Sequence, residues 1–238
     1  MSNKNFSFKQ FVIEQEKTAM KVGIDGVMLG AWADVANAAN ILDIGTGTGL
    51  IAIMLAQRNS AANIDAIEID RQSYEQAAEN AAKCKWSARI NIIHGKFQTF
   101  AETTQKKYDL IVSNPPYFIA SLQSPEMQRT VARHSASLTH DDLIKGIDKI
   151  LTATGTFSAI FPYVEGNIFI AKAAAANIFC NKRTNIKPNP EKPVKRIMLE
   201  FSRIKQNLAE NTICIENGDR HNYTDAYKSL TKDFYLKF

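Results

Sequence analysis

Two short runs of this chain carry residue types and spacings that could do chemistry. The first is Asp43-Ile44-Gly45-Thr46-Gly47-Thr48-Gly49, in which three glycines alternate with small residues. Glycine permits positive φ and removes Cβ atoms, so a ligand can lie directly on the backbone. A helix starting at such a loop favours an anionic group at its N-terminus, and Asp43, just before the turn, could accept from an ammonium. The loop lacks the G-x-G-x-x-G spacing of dinucleotide sites, and no Lys-Ser or Lys-Thr follows it, which excludes a phosphate-binding P-loop. Glu68 follows Asp43 by 25 residues, near the spacing at which an acid takes ribose hydroxyls in strand-turn-helix sites. Asp70 is the alternative ribose acid and is better placed to start a helix.

The second run is Asn114-Pro115-Pro116-Tyr117. Proline forces the residue before it into extended backbone, and a second proline stiffens the same turn, so Asn114 and the Pro115 carbonyl point in fixed directions. A planar exocyclic amine is a poor nucleophile because its lone pair is delocalised. Two fixed acceptors can hold its two hydrogens and stabilise the positive charge that develops on attack, so orientation replaces a strong base. Tyr117 offers a face for the target ring, a contact worth about 1–3 kcal/mol for a nucleobase. A cradle for a ribose-bearing amino acid and a clamp for a planar amine together imply methyl transfer from S-adenosylmethionine to an amino or amide nitrogen.

Both runs must sit at carboxyl ends of strands in one sheet, where α/β sheets bind ligands. The apolar periodicity supplies those strands. Ile41–Ile44 precedes the glycine loop, and Leu50, Ile53, Met54 and Gln57 continue it as a helix. Asn63–Ile69 reads as the next strand, followed by a helix with Tyr74, Ala77, Ala78, Ala81 and Ala82 on one face. Strands at 88–94 and 108–113, a helix at 140–151, a strand at 155–161 and a helix at 165–177 complete the alternation. A proline-rich turn then joins strands at 178–186 and 194–202. The expected fold is α/β, Rossmann-like, with a mostly parallel sheet and one antiparallel strand from the C-terminal hairpin. The expected organisation is one domain, with residues 1–35 as an N-terminal extension over the cofactor site and 36–238 as the catalytic core. Alternating Phe6/Phe8 and Phe11/Ile13 read as a short N-terminal sheet extension, and Trp32 and Trp86 as core or cover.

Composition fits a folded enzyme: 238 residues, 45% hydrophobic and 22% charged, with a net charge of +5. No apolar run reaches a membrane span and the N-terminus lacks a signal peptide's apolar stretch, so a cytoplasmic location is expected. Cys84, Cys180 and Cys214 are scattered singly, as reduced packing residues are, and neither they nor His94, His134, His140 and His221 show metal-ligand spacing. No metal is expected, and no protein partner is evident. Between Asn181 and Lys205 stand eight Lys or Arg against Glu191 and Glu200. That stretch, with Lys192, Lys195 and Arg196 at its centre, is a candidate phosphate-contacting face; a solvated strand edge is the alternative. Arg133 and His134, after the clamp, are further candidates for RNA contact.

With these residues in view, the chain resembles the bacterial tRNA1(Val) adenine N6-methyltransferases within the class I methyltransferases. Beyond the two motifs, the resemblance rests on Phe6-Ser7-Phe8-Lys9-Gln10-Phe11, on the run from Met20-Lys21-Val22-Gly23-Ile24-Asp25-Gly26 to Trp32, on Ala132-Arg133-His134 and on Lys195-Arg196. It covers nearly the whole chain. It implies methylation of adenine 37 in a valine tRNA. It also implies that Asp43, Gly45, Thr46, Gly47 and Gly49 hold the methionine end of the cofactor, Glu68 the ribose, Asn114 to Tyr117 the target amine, and Lys21 and Asp25 a lid. Many relatives of this type place an acid after the third core strand, whereas here His94-Gly95-Lys96-Phe97 stands. Lys96 cannot accept a hydrogen bond, so either backbone carbonyls near Phe97 take the cofactor adenine, with Phe97 as a candidate contact, or this side of the pocket is built differently. The alternatives are methylation of another planar nitrogen, such as a release-factor glutamine or a ribosomal guanine N2, and a non-catalytic nucleic-acid-binding module.

Overall fold

A computed structural model describes residues 4–115 and 138–238. Among these, eight strands form one sheet: β3 (Asn40–Ile44), β4 (Asn63–Glu68), β5 (Ile90–His94), β6 (Tyr108–Ser113), β7 (Leu151–Pro162), β8 (Phe179–Lys187), β9 (Arg196–Ser202) and β10 (Ala209–Cys214). Their order is β10-β8-β9-β7-β6-β3-β4-β5. Every pairing is parallel except those of β9, which runs antiparallel to both β7 and β8. The Rossmann-like fold with one antiparallel strand therefore stands as expected. A second, two-stranded sheet pairs β1 (Asn5–Ser7) with β2 (Val12–Glu14). This hairpin stands apart from the main sheet instead of extending it. Its Phe8, Phe11 and Ile13 bury themselves against Val27, Leu50, Ile53 and Met54.

Ile41 to Ile44 are buried without alternation because parallel strands are covered on both faces. On one face lie α4 (Phe97–Thr103), α5 (His140–Ile150) and α6 (Tyr163–Ala175), packed on Ile44, Ile111, Phe157, Phe161 and Leu199. On the other lie α1 (Ile24–Trp32), α2 (Leu50–Arg58) and α7 (Asp225–Thr231), packed on Ile64, Ala66, Leu110, Val112 and Met198. The helix α3 (Arg71–Lys83) flanks β4 and β5. Local signals start these helices. The Asp70 side chain accepts from Ser73 N at 2.8 Å, so Asp70 caps α3, and Thr139 and Asp142 form a reciprocal capping box on α5. Gly146 lets α5 approach α4 closely, for a Cβ there would lie 2.3 Å from the Phe97 ring.

Candidate active site

The glycine loop folds as its composition requires. Gly45, Gly47 and Gly49 take φ of 71°, 58° and 81°, values that L side chains rarely adopt. The loop is pinned to β4, as Gly45 N and Thr46 N donate to Ile67 O at 2.9 and 3.1 Å. Nothing lies within 4 Å of the positions that Cβ atoms on Gly45 or Gly47 would occupy, so this face of the backbone is open. Gly49 serves packing instead, with Ala77 of α3 only 3.4 Å from its absent Cβ.

Two acids stand under the loop. Asp43 is fully buried; its Oδ2 accepts from Thr46 Oγ1 at 2.6 Å. Its Oδ1 is buried with no hydrogen-bond partner. Burial pushes its pKa up to about 7, against the opposing bond from Thr46. Glu68 spends both oxygens on backbone: Oε2 accepts from Gly47 N and Oε1 from Asp70 N, each at 2.9 Å. It thereby fixes the loop against the start of α3 and keeps one lone pair per oxygen for a ligand.

The second motif arrives beside the first. Ile44 is in register with Ser113 of β6 and with Ile67 of β4, and Ser113 Oγ donates to Ile44 O at 2.9 Å. Asn114 is half-buried and Pro115 buried, directly after Ser113 at the strand end beside the start of the glycine loop. Pro116, Tyr117, Arg133 and His134 lie outside the described residues.

The remaining candidates have structural partners. Lys21 Nζ donates to Gln15 O and to Thr18 O, fastening the turn before α1. Asp25 Oδ2 accepts from Arg196 Nε at 2.8 Å, so a residue expected in the lid and one expected at RNA are ion-paired with each other. The Phe97 ring is buried in the core against Gly146, which leaves its backbone as the part able to meet a cofactor. Lys192 and Lys195 are exposed in the turn between β8 and β9. Two residues escaped the sequence reading. Asn80, buried in α3, accepts from Glu14 N at 3.0 Å and donates to Glu14 O at 2.8 Å and to Thr48 O at 2.9 Å, joining the N-terminal hairpin to the glycine loop. Ile69 keeps 37% of its surface exposed directly after Glu68, an apolar surface of the kind an adenine ring covers. Among the described residues no cluster of His, Cys, Asp or Glu is arranged to hold a metal, and no helix is long and apolar enough to cross a membrane.

The family model described as "Methyltransferase small domain" matches residues 28–144. A tRNA1(Val) (adenine(37)-N6)-methyltransferase of Trichodesmium erythraeum is 46% identical over 240 residues, covering 100% of both chains. One of the same name from Flavobacterium psychrophilum is 47% identical, covering 98% of this chain and 99% of its own. This chain belongs to that methyltransferase family. Among solved structures, a predicted O-methyltransferase of Agrobacterium tumefaciens superposes with a TM-score of 0.68 at 20% identity, over 88% of this chain and 96% of that one, a likeness of fold. The methyl donor of the family is S-adenosylmethionine. Its groups suit the residues present: an orphaned buried acceptor on Asp43 for an ammonium, and an open glycine face for the chain between ammonium and sulfur.

Proposed function

We propose that this methyltransferase modifies the exocyclic N6 of adenine 37 in tRNA1(Val), with Asn114 and Pro115 as the acceptors that hold the amine. The observation that carries the substrate is full-length identity of 40–47% to proteins bearing that name. The register that sets Asn114 beside the glycine loop supports the division of labour. Asp43, Gly45, Thr46, Gly47, Gly49 and Glu68 would hold the cofactor, under a cover formed by residues 1–35 that Lys21 and Asp25 fasten. Bound there, the cofactor would supply an electrophilic methyl carbon, its sulfur–methyl bond breaking as the new bond forms and S-adenosylhomocysteine being the leaving group. Asn114 Oδ1 and the Pro115 carbonyl each accept one N6 hydrogen, which turns the nitrogen lone pair toward that carbon. As the N–C bond forms, the same acceptors stabilise the charge on nitrogen, and the surplus proton leaves to water. Tyr117 stacks on the extruded base. A tRNA substrate implies a cytoplasmic enzyme.

The test is methylation of an unmodified valine tRNA transcript, digested and analysed for N6-methyladenosine. One methyl per transcript is expected, and none when adenine 37 is replaced by guanosine. Transfer to a release factor or to ribosomal RNA instead would assign the site to another planar nitrogen.

A further inference from the structure

Neither the cofactor cradle nor the amine clamp accounts for the exposed start of α6. Tyr163 is 42% exposed there, with Val164 at 59% and Ile168 at 43% on the same helix. Clustered large apolar side chains at a surface mark contact sites more often than chance. The Arg183 guanidinium sits over the Tyr163 ring, its Cζ 5.5 Å from the centroid. That guanidinium is fixed from three sides, donating to Asn185 Oδ1 at 2.9 Å and Asn167 Oδ1 at 3.1 Å and pairing with Glu210 at 3.3 Å. Lys195 is adjacent, since Tyr163 N donates to Lys195 O at 3.2 Å. Exposed Lys192 lies in the same turn.

Position gives this cluster its meaning. Ser113 is in register with Ala159, four residues before Tyr163 on the neighbouring strand. Strand rise and spacing therefore put the Tyr163 backbone within about 15 Å of Asn114 on the same carboxyl rim of the sheet, with its ring turned toward Arg183 of β8 on the far side of β7. A few nucleotides span that gap. When an adenine leaves its stack to reach a catalytic pocket, its neighbour loses a stacking partner, and an aromatic ring with a cation beside it is the usual replacement. The charges near Tyr163 leave a positive surplus for a polyanion: Arg183 and Arg196 are paired with Glu210 and Asp25, while exposed Lys192 and Lys195 of the adjoining turn form no ion pair among the described residues and stand against Glu191 alone.

We propose that Tyr163, backed by Arg183 and Lys195, is a stacking platform for an unpaired nucleotide within a few positions of the adenine being methylated. The proposal rests on the RNA-methylation reading above and adds a second base contact to it. It is tested with Tyr163→Ala, Tyr163→Phe and Tyr163→Trp, using the full valine tRNA and its isolated anticodon stem-loop. Tyr163→Ala should raise KM for both RNAs by about tenfold, with the loss in KM rather than kcat, and should leave the affinity for S-adenosylhomocysteine unchanged. The Phe and Trp variants should retain wild-type KM. Fluorescence anisotropy of a labelled stem-loop should show the same ranking, and this reads the platform even if the wild-type enzyme methylates some other nitrogen. A wild-type KM and anisotropy in Tyr163→Ala would overturn the proposal. So would a loss confined to the full tRNA, or a change of oligomeric state in sedimentation, which would make this face a protein interface.

Discussion

The proposed mechanism gives cofactor binding to Asp43 and chemistry to Asn114, and each makes a separate prediction. Asp43 ordinarily would titrate near 3.8, but burial raises it to about 7. Between those values the folded apo protein holds a proton that the unfolded chain releases. Stability from this residue is therefore full below the lower value and is lost as pH rises through the higher one, by up to about 4 kcal/mol. Thermal melts of the apo protein at pH 5.5 and 8 should show it, and Asp43→Asn should flatten the dependence. Cofactor binding runs the other way, since an ammonium prefers the carboxylate: affinity for S-adenosylhomocysteine should rise with pH through about 7, and Asp43→Asn should bind weakly at every pH. Asn114→Ala should leave that affinity alone and lower single-turnover methylation by about 10²–10³, the usual cost of one preorganised hydrogen-bonding group. Full activity in that variant would remove the clamp from the mechanism.

At the level of elements, the N-terminal hairpin and the glycine loop are coupled through one buried amide. Asn80 bonds to both partners of Glu14's backbone and to Thr48 O. Asn80→Ala would leave buried polar groups unpaired at about 1–3 kcal/mol. Calorimetry should report roughly tenfold weaker cofactor binding, and hydrogen exchange should show residues 14–22 losing protection while the β3 amides keep theirs. Loss of protection throughout would mean that Asn80 matters for the fold alone. The sequence could not have announced this residue. Asn80 lies on an alanine-rich helix face, and its burial is decided by partners 32 and 66 positions away. The core strands were readable for the opposite reason, because Ile41-Leu42 and Leu110-Ile111-Val112 are buried on both faces and must be apolar throughout. β10 went unseen because an edge strand can be polar; Ala209 to Thr212 are all exposed. Glu68 reads from its spacing as a candidate ribose acid, but its two backbone acceptor bonds depend on loop conformation, which residue types alone do not reveal.

On the scale of the whole molecule, the basic stretch from Asn181 to Lys205 turns out to be mostly occupied. Lys182 sits over the Trp32 ring, Arg183 pairs with Glu210, Arg196 with Asp25 and Arg203 with Asp148. Lys192 and Lys195 are exposed and form no ion pair among the described residues, which makes them the proposed phosphate contacts. Replacing both by Ala should make the slope of log K against log salt shallower by about 1.5, as measured by RNA binding between low and moderate salt, with cofactor affinity unchanged. An unaltered slope would make this turn a solvated edge. The reversed direction of β9 explains how these lysines come to stand near the chemistry at all. A parallel β9 would begin at the opposite edge of the sheet, whereas the antiparallel one starts at Arg196, in register with Pro162 beside the clamp. In the proposed function, phosphate contact and methyl transfer thus fall on separate pieces of chain that share one rim. On that proposal, chimaeras that swap the turn at residues 188–195 between relatives should change which RNA is preferred while inheriting the turnover of the parent scaffold.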